Sequence, residues 1–105
     1  MSFSGKPTTF VEQKIENDGF WPDLSVTEFQ KEQRLPAEYL IELLADAIYT
    51  AMVEVNYDLV RCKERWKGAG VRSVESADST VLPERTFQVK LYKRAVYCRA
   101  KASAL

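Results

Sequence analysis

The residues between Pro36 and Gly68 constrain the fold more than any other part of the chain. Leu40, Leu44, Ile48, Ala51, Met52, Val55, Leu59, Cys62 and Trp66 recur at three- and four-residue spacing and make one continuous apolar stripe. That period belongs to a helix with one face packed, and the stripe predicts a single helix running from Pro36 to the glycines at 68 and 70. Pro36 suits the first turn, where its missing N–H would have no partner and its fixed φ is already helical. Gly68 and Gly70 supply the stop. Glu38, Glu42 and Asp46 in the first half, and Arg61, Lys63, Arg65 and Lys67 at the end, complement the helix dipole. At about 1.5 Å per residue such a helix is roughly 45–50 Å long. That exceeds what a small domain needs internally, so it is expected to project or form a wall.

The other elements follow from local signals. Ser25-Val26-Thr27-Glu28 fits a capping box and predicts a short helix from about Val26 to Arg34, closed before Pro36. Residues 71–83 read as a polar connecting loop. From Pro83 a second long helical pattern runs through Phe87, Leu91, Ala95, Cys98, Ala102 and Leu105. Its small-residue end (Ala100, Ala102, Ser103, Ala104) suits close helix approach. No cap or glycine closes it, so the chain is expected to be truncated inside this helix. Thr9 to Ile15 nearly alternates and is closed by Asn17-Asp18-Gly19, a short strand-and-turn signal. One strand without a mate is not stable. Residues 1–19 are therefore expected to form a flexible arm ahead of a helical domain at 20–105. The fold class is all-α: two long antiparallel helices plus a short N-terminal helix.

Several chemistries are excluded by what is missing. The 105 residues contain no histidine, and the two cysteines, Cys62 and Cys98, fall outside any C-x-x-C spacing. Imidazole acid–base chemistry and nitrogen-ligated metal sites are thereby ruled out, and two thiols alone do not hold structural zinc. Both cysteines are expected to be small buried apolar residues. There is no glycine-rich phosphate loop, and no serine or cysteine stands beside a base partner. No catalytic, cofactor or metal site is expected, and no small-molecule substrate. No apolar run approaches the roughly 20 residues of a membrane helix, and the start lacks a secretory signal. Cytoplasmic synthesis without a membrane contact is the expectation.

Net charge is zero, yet the charges are segregated: residues 1–58 hold 4 basic and 11 acidic side chains, and residues 59–105 hold 11 and 4. Glu38, Glu42 and Asp46 stand at i, i+4 and i+8 on one helical face, a spacing at which like charges cost a few tenths of a kcal/mol per pair. They form either a solvated face or a docking stripe. Lys90, Arg94 and Lys101, with Lys93 beside them, form a basic stripe on the last helix. An antiparallel hairpin sets residues near 94–101 beside 50–58, where Glu54 and Asp58 can pair with them, and leaves the acids at 38–46 facing nothing. Head-to-tail self-association follows as a hypothesis, with a DNA-facing basic stripe as its rival. Asn56, mid-helix, marks either an interhelical hydrogen bond or exposure. Phe20 and Trp21, in Gly19-Phe20-Trp21-Pro22-Asp23-Leu24, cover either the core or a partner.

Four stretches carry a resemblance. They are Phe20-Trp21-Pro22-Asp23-Leu24; Pro36-Ala37 leading to Ile48; Ala51-Met52-x-Glu54-x-Asn56-x-Asp58-Leu59; and Tyr92-x-Arg94-Ala95-Val96 running into Ala102-Ser103. In order and spacing they resemble the head completion (head stabilisation) family of contractile-tailed bacteriophages, the GpL family. Family members continue with helical sequence beyond the position of Leu105. The resemblance implies an all-helical, non-enzymatic adaptor that binds as a ring beneath the portal after DNA packaging, retains the genome and presents a platform for the tail. Its implied partners are the portal protein, tail-side proteins, further copies of itself and the packaged DNA. Its implied location is the host bacterial cytoplasm during assembly, then the head–tail interface of the virion. The alternatives are another connector or tail-completion component, or a small helical nucleic-acid-binding module.

Overall fold

The long apolar stripe folds into two successive helices. In the computed structural model, which describes residues 12–77 and 84–104, the elements are β1 (Lys14–Ile15), β2 (Leu24–Ser25), α1 (Val26–Glu32), α2 (Ile41–Asp58), α3 (Val60–Gly68) and α4 (Arg85–Ala104). Helix dominates, and the strands make one antiparallel two-residue ladder with Lys14 opposite Ser25 and Ile15 opposite Leu24.

The expected single helix from Pro36 to Gly68 is corrected at two points. Residues 36–40 form a turn and α2 starts at Ile41, with Leu40 as a cap that offers no side-chain hydrogen bond. At Leu59 the helix is interrupted for one residue, although Leu59 N–H still donates to Val55 and Lys63 N–H to Leu59. Gly68 is the last residue of α3, and the stop is Gly70, whose φ of 101° lies in the left-handed region. α1 ends at Glu32, two residues short of the pattern, because Arg34 takes φ 57° and turns the backbone out of the helix.

The buried face of α2 is Leu44, Ile48, Ala51, Met52 and Val55. Against it pack Tyr92, Val96, Tyr97 and Ala100 of α4, together with Val26 and Phe29 of α1. Fully buried Ala100 lets α4 approach closely. Trp66 shares a groove with Gln88, and Glu54 pairs with Arg99 at 3.6 Å, so α2–α3 and α4 run in opposite directions. Residues 71–77 contribute more than a polar connection: Val71, Val74 and Ala77 are buried, and Val74 N–H donates to the Phe20 carbonyl at 2.9 Å.

Residues 12–19 are also part of the packed unit. The strand finds its mate in Leu24–Ser25, Val26 N–H donates to the Gln13 carbonyl at 2.9 Å, and Ile15 is buried. The expected arm is thus corrected for these residues, while 1–11 lie outside the described part, as do Pro83 and the terminal Leu105. The cysteines depart from expectation too: Cys62 is half-buried and Cys98 exposed.

Candidate protein interaction surface

Asp18 shapes the turn that carries the two aromatics. Its Oδ1 accepts from Phe20 N–H at 2.9 Å and Trp21 N–H at 3.0 Å, a local turn that aspartate favours. Its Oδ2 pairs with Lys63 at 2.8 Å, and the Lys63 ammonium sits 5.8 Å from the Phe20 ring centre. Partial burial alone would raise the Asp18 carboxyl, but the Lys63 ammonium and the two N–H donors hold it below the ordinary value. Asp23 is held low chiefly by the Asn17 N–H, which donates to it at 2.8 Å, with Lys14 adding its charge.

The rings themselves turn inward. Phe20 and Trp21 are 3 % and 4 % exposed. Trp21 stacks on Tyr92 at 4.8 Å, meets Phe20 edge-on at 5.0 Å and lies 5.9 Å from Trp66. Burial assigns both to the protein's own core, where they tie the 17–23 turn to α3 and α4.

Two polar clusters lock α4 in place. Asn17, Asn56 and Tyr92 exchange hydrogen bonds across the turn, α2 and α4. Burial pushes the Tyr92 hydroxyl up to about 12. At the start of α1, Ser25 Oγ accepts from Glu28 N–H at 3.0 Å, one half of the capping box. The other half is altered: Tyr97 stands between, accepting from Ser25 N–H at 3.0 Å and donating to Glu28 at 2.6 Å. Lys93 pairs with that Glu28 carboxylate at 3.2 Å. Glu12 accepts from Ser25 Oγ and from Thr27 N–H, and these bonds outweigh burial and lower its carboxyl.

The charged stripes divide accordingly. Lys93 is taken up within the molecule. Glu54 and Asp58 do pair with α4, through Arg99 at 3.6 and 3.4 Å. Arg99 is a residue the sequence reading passed over. Glu38 lies in the turn before α2, so the acids on the helix face are Glu42 and Asp46. None of Glu38, Glu42, Asp46, Lys90, Arg94 or Lys101 forms an ion pair among the described residues. Lys90 and Arg94 are exposed, and Lys101 lies half-buried in a shallow groove with Gln33, Cys98 and Ala102.

A second apolar face also went unread. Leu43, Val53, Tyr57 and Val60 are exposed on α2 and α3, and Phe87 and Leu91 on α4. The signal lay in the spacing: Val53, Tyr57 and Val60 stand at i, i+4 and i+7, with Leu43 about three turns earlier on the same side of the helix. The long core stripe masks it because both share one helical period. Among the described residues no group of His, Cys, Asp and Glu could hold a metal ion, and no helix is long and apolar enough to cross a membrane.

The family described as "Phage head completion protein (GPL)" matches residues 15–105. A "Probable head completion/stabilization protein" of Haemophilus phage HP1 (strain HP1c1) is 34 % identical over 103 residues, covering 98 % of this chain and 69 % of that protein. No solved structure matches the chain.

Proposed function

The chain belongs to the phage head completion family, and on that premise we propose that it works as a non-enzymatic adaptor at the head–tail vertex of a virion. In this reading it joins the filled head below the portal once DNA packaging ends. There it holds the genome in, self-associates around the vertex and offers the tail a platform. Assembly takes place in the host bacterial cytoplasm, and the mature location is the virion. Residues 15–105, the span the family matches, carry the role, with Glu38, Glu42, Asp46, Lys90, Arg94 and Lys101 as contact residues.

The observation that carries the reading is the family match. It extends from Ile15 through α4, so it includes the 17–23 turn, the buried aromatics and both outward faces. The shape of the surface is in keeping with it. Unpaired charge and exposed apolar side chains on the outer sides of the long helices are the kind of surface a protein-contacting subunit uses.

The test is electron microscopy of particles from a phage or prophage deleted for this gene. Packaged heads that lack tails and lose DNA, restored by supplying the gene in trans, are the expected result. Normal yields of tailed, infectious particles would overturn the reading.

A further inference from the structure

The two helices of the hairpin are charged oppositely and completely. α2 holds four acids, Glu42, Asp46, Glu54 and Asp58, and no base; α4 holds six bases and no acid. Part of this opposition is used inside the molecule, where Arg99 meets Glu54 and Asp58. Lys93 is taken by Glu28 and Arg85 by the Ala77 carbonyl, and of the rest Glu42 and Asp46 on α2 and Lys90 and Arg94 on α4 lie exposed on faces turned away from the shared core. One molecule cannot bring those faces together.

Each unpaired charge set borders exposed apolar side chains. Beside the acids run Leu43, Val53 and Tyr57, with Tyr57 79 % exposed; beside the bases run Phe87 and Leu91. Burying apolar surface supplies affinity, while complementary charge sets orientation and rejects wrong pairings. The faces also match in length. From Leu43 to Val60 is about 26 Å and from Phe87 to Lys101 about 21 Å at the helical rise per residue.

We propose that the outer face of α2–α3 is a docking seat for the outer face of α4 from a second copy of this chain. The contact is heterologous, so each copy offers one seat and one insert, and assembly continues until the rotation closes. The inference gives residues to the self-association in the reading above and rests on it for its biological setting.

Charge swapping tests it through sedimentation velocity of the full chain at low salt. Variant one carries Glu42→Lys and Asp46→Lys; variant two carries Lys90→Glu and Arg94→Glu. Wild type should self-associate, and each variant alone should do so at least about 100-fold more weakly, because like charges then face each other. Mixed in equal amounts, the two variants should recover association, since each reversed face meets a reversed partner. Tyr57→Ser should weaken association about tenfold with an unchanged melting temperature. Monomeric wild type at high concentration, or a mixture that stays monomeric, overturns the seam. If variant two associates like wild type while variant one does not, α2 pairs with itself and the α4 assignment falls. None of these failures touches the family-based role, which the deletion particles test separately.

Discussion

The amide of Asn17 donates to the Tyr92 hydroxyl at 2.9 Å, that hydroxyl donates to Asn56, and the Asn56 amide donates back to Asn17 at 2.9 Å. Three side chains from three parts of the chain thus close one cycle of hydrogen bonds. Removing one member breaks two of the three bonds and takes one partner from each remaining side chain in a part-buried site, which costs about 1–3 kcal/mol. Asn56→Ala and Tyr92→Phe should each lose stability of that order in urea unfolding, and the double variant should lose less than their sum because both break the same cycle. The sequence raised an interhelical bond from Asn56 as one of two options. It did not offer Asn17 as the partner, because pairing residues 39 positions apart depends on how the turn lies over the hairpin. Asp18 yields a second residue-level expectation. Its carboxyl is held below the ordinary 3.8, so its stabilising effect is present above that value and disappears as pH falls through the lower folded one. The melting temperature should drop below about pH 4. Asp18→Asn, which keeps the turn and loses the Lys63 pair, should be less stable at neutral pH and flatten that acid limb in calorimetry.

Two helices end in the same motif with different residues at its strained position. At the end of α3, Gly70 N–H donates to Lys67, Val71 N–H donates to Trp66 and Val71 is buried. At the end of α1, Arg34 N–H donates to Lys31, Leu35 N–H donates to Gln30 and Leu35 is buried. Both close the orphan carbonyls through a left-handed residue followed by an apolar plug. Glycine takes that conformation freely, whereas a side chain costs about 1–2 kcal/mol there. Arg34→Gly should therefore raise stability by about 1 kcal/mol, and Gly70→Ala should lower it by a similar amount. Nothing lies within 4 Å of a Cβ built at Gly70, so that loss is conformational rather than steric. Thermal melts of the two single variants should move in opposite directions. The same pair explains what was legible among the elements. Gly70 announced its stop and Ser25 its start, because each has a local signature. Arg34 carries none, and neither do the turn at 36–40 or the pairing of Lys14–Ile15 with Leu24–Ser25. Those features arise from Leu35, Ile15 and Leu24 seeking one core, which a reading of neighbours along the chain does not contain.

For the molecule as a whole, the helical class, the antiparallel hairpin and the separation of charge were readable, because periodicity and charge counts survive folding unchanged. The destination of Phe20 and Trp21 was not, since large aromatics before a proline serve a core and an interface equally well until Tyr92 and Trp66 are seen to enclose them. Nor was the outer apolar face, because one helix cannot announce which of two stripes its neighbours will cover. Those two outcomes together decide how the surface responds to salt. Screening shortens the reach of charge from about 10 Å at 0.1 M to about 3 Å at 1 M, while apolar burial is not weakened by it. Self-association through Glu42, Asp46, Lys90 and Arg94 beside Leu43, Tyr57, Phe87 and Leu91 should therefore weaken modestly over that range and persist. Binding of duplex DNA by the basic stripe would behave differently, since each phosphate contact contributes almost a full unit to the slope of log affinity against log salt. With Lys90, Arg94 and Lys101 as the outward bases, a DNA-binding face would show a slope near −3 and collapse well before 1 M. Sedimentation and fluorescence anisotropy on one preparation separate the cases. Persistent self-association with negligible DNA binding above physiological salt is expected. A steep DNA isotherm without self-association would move the basic face of α4 from a protein partner to nucleic acid.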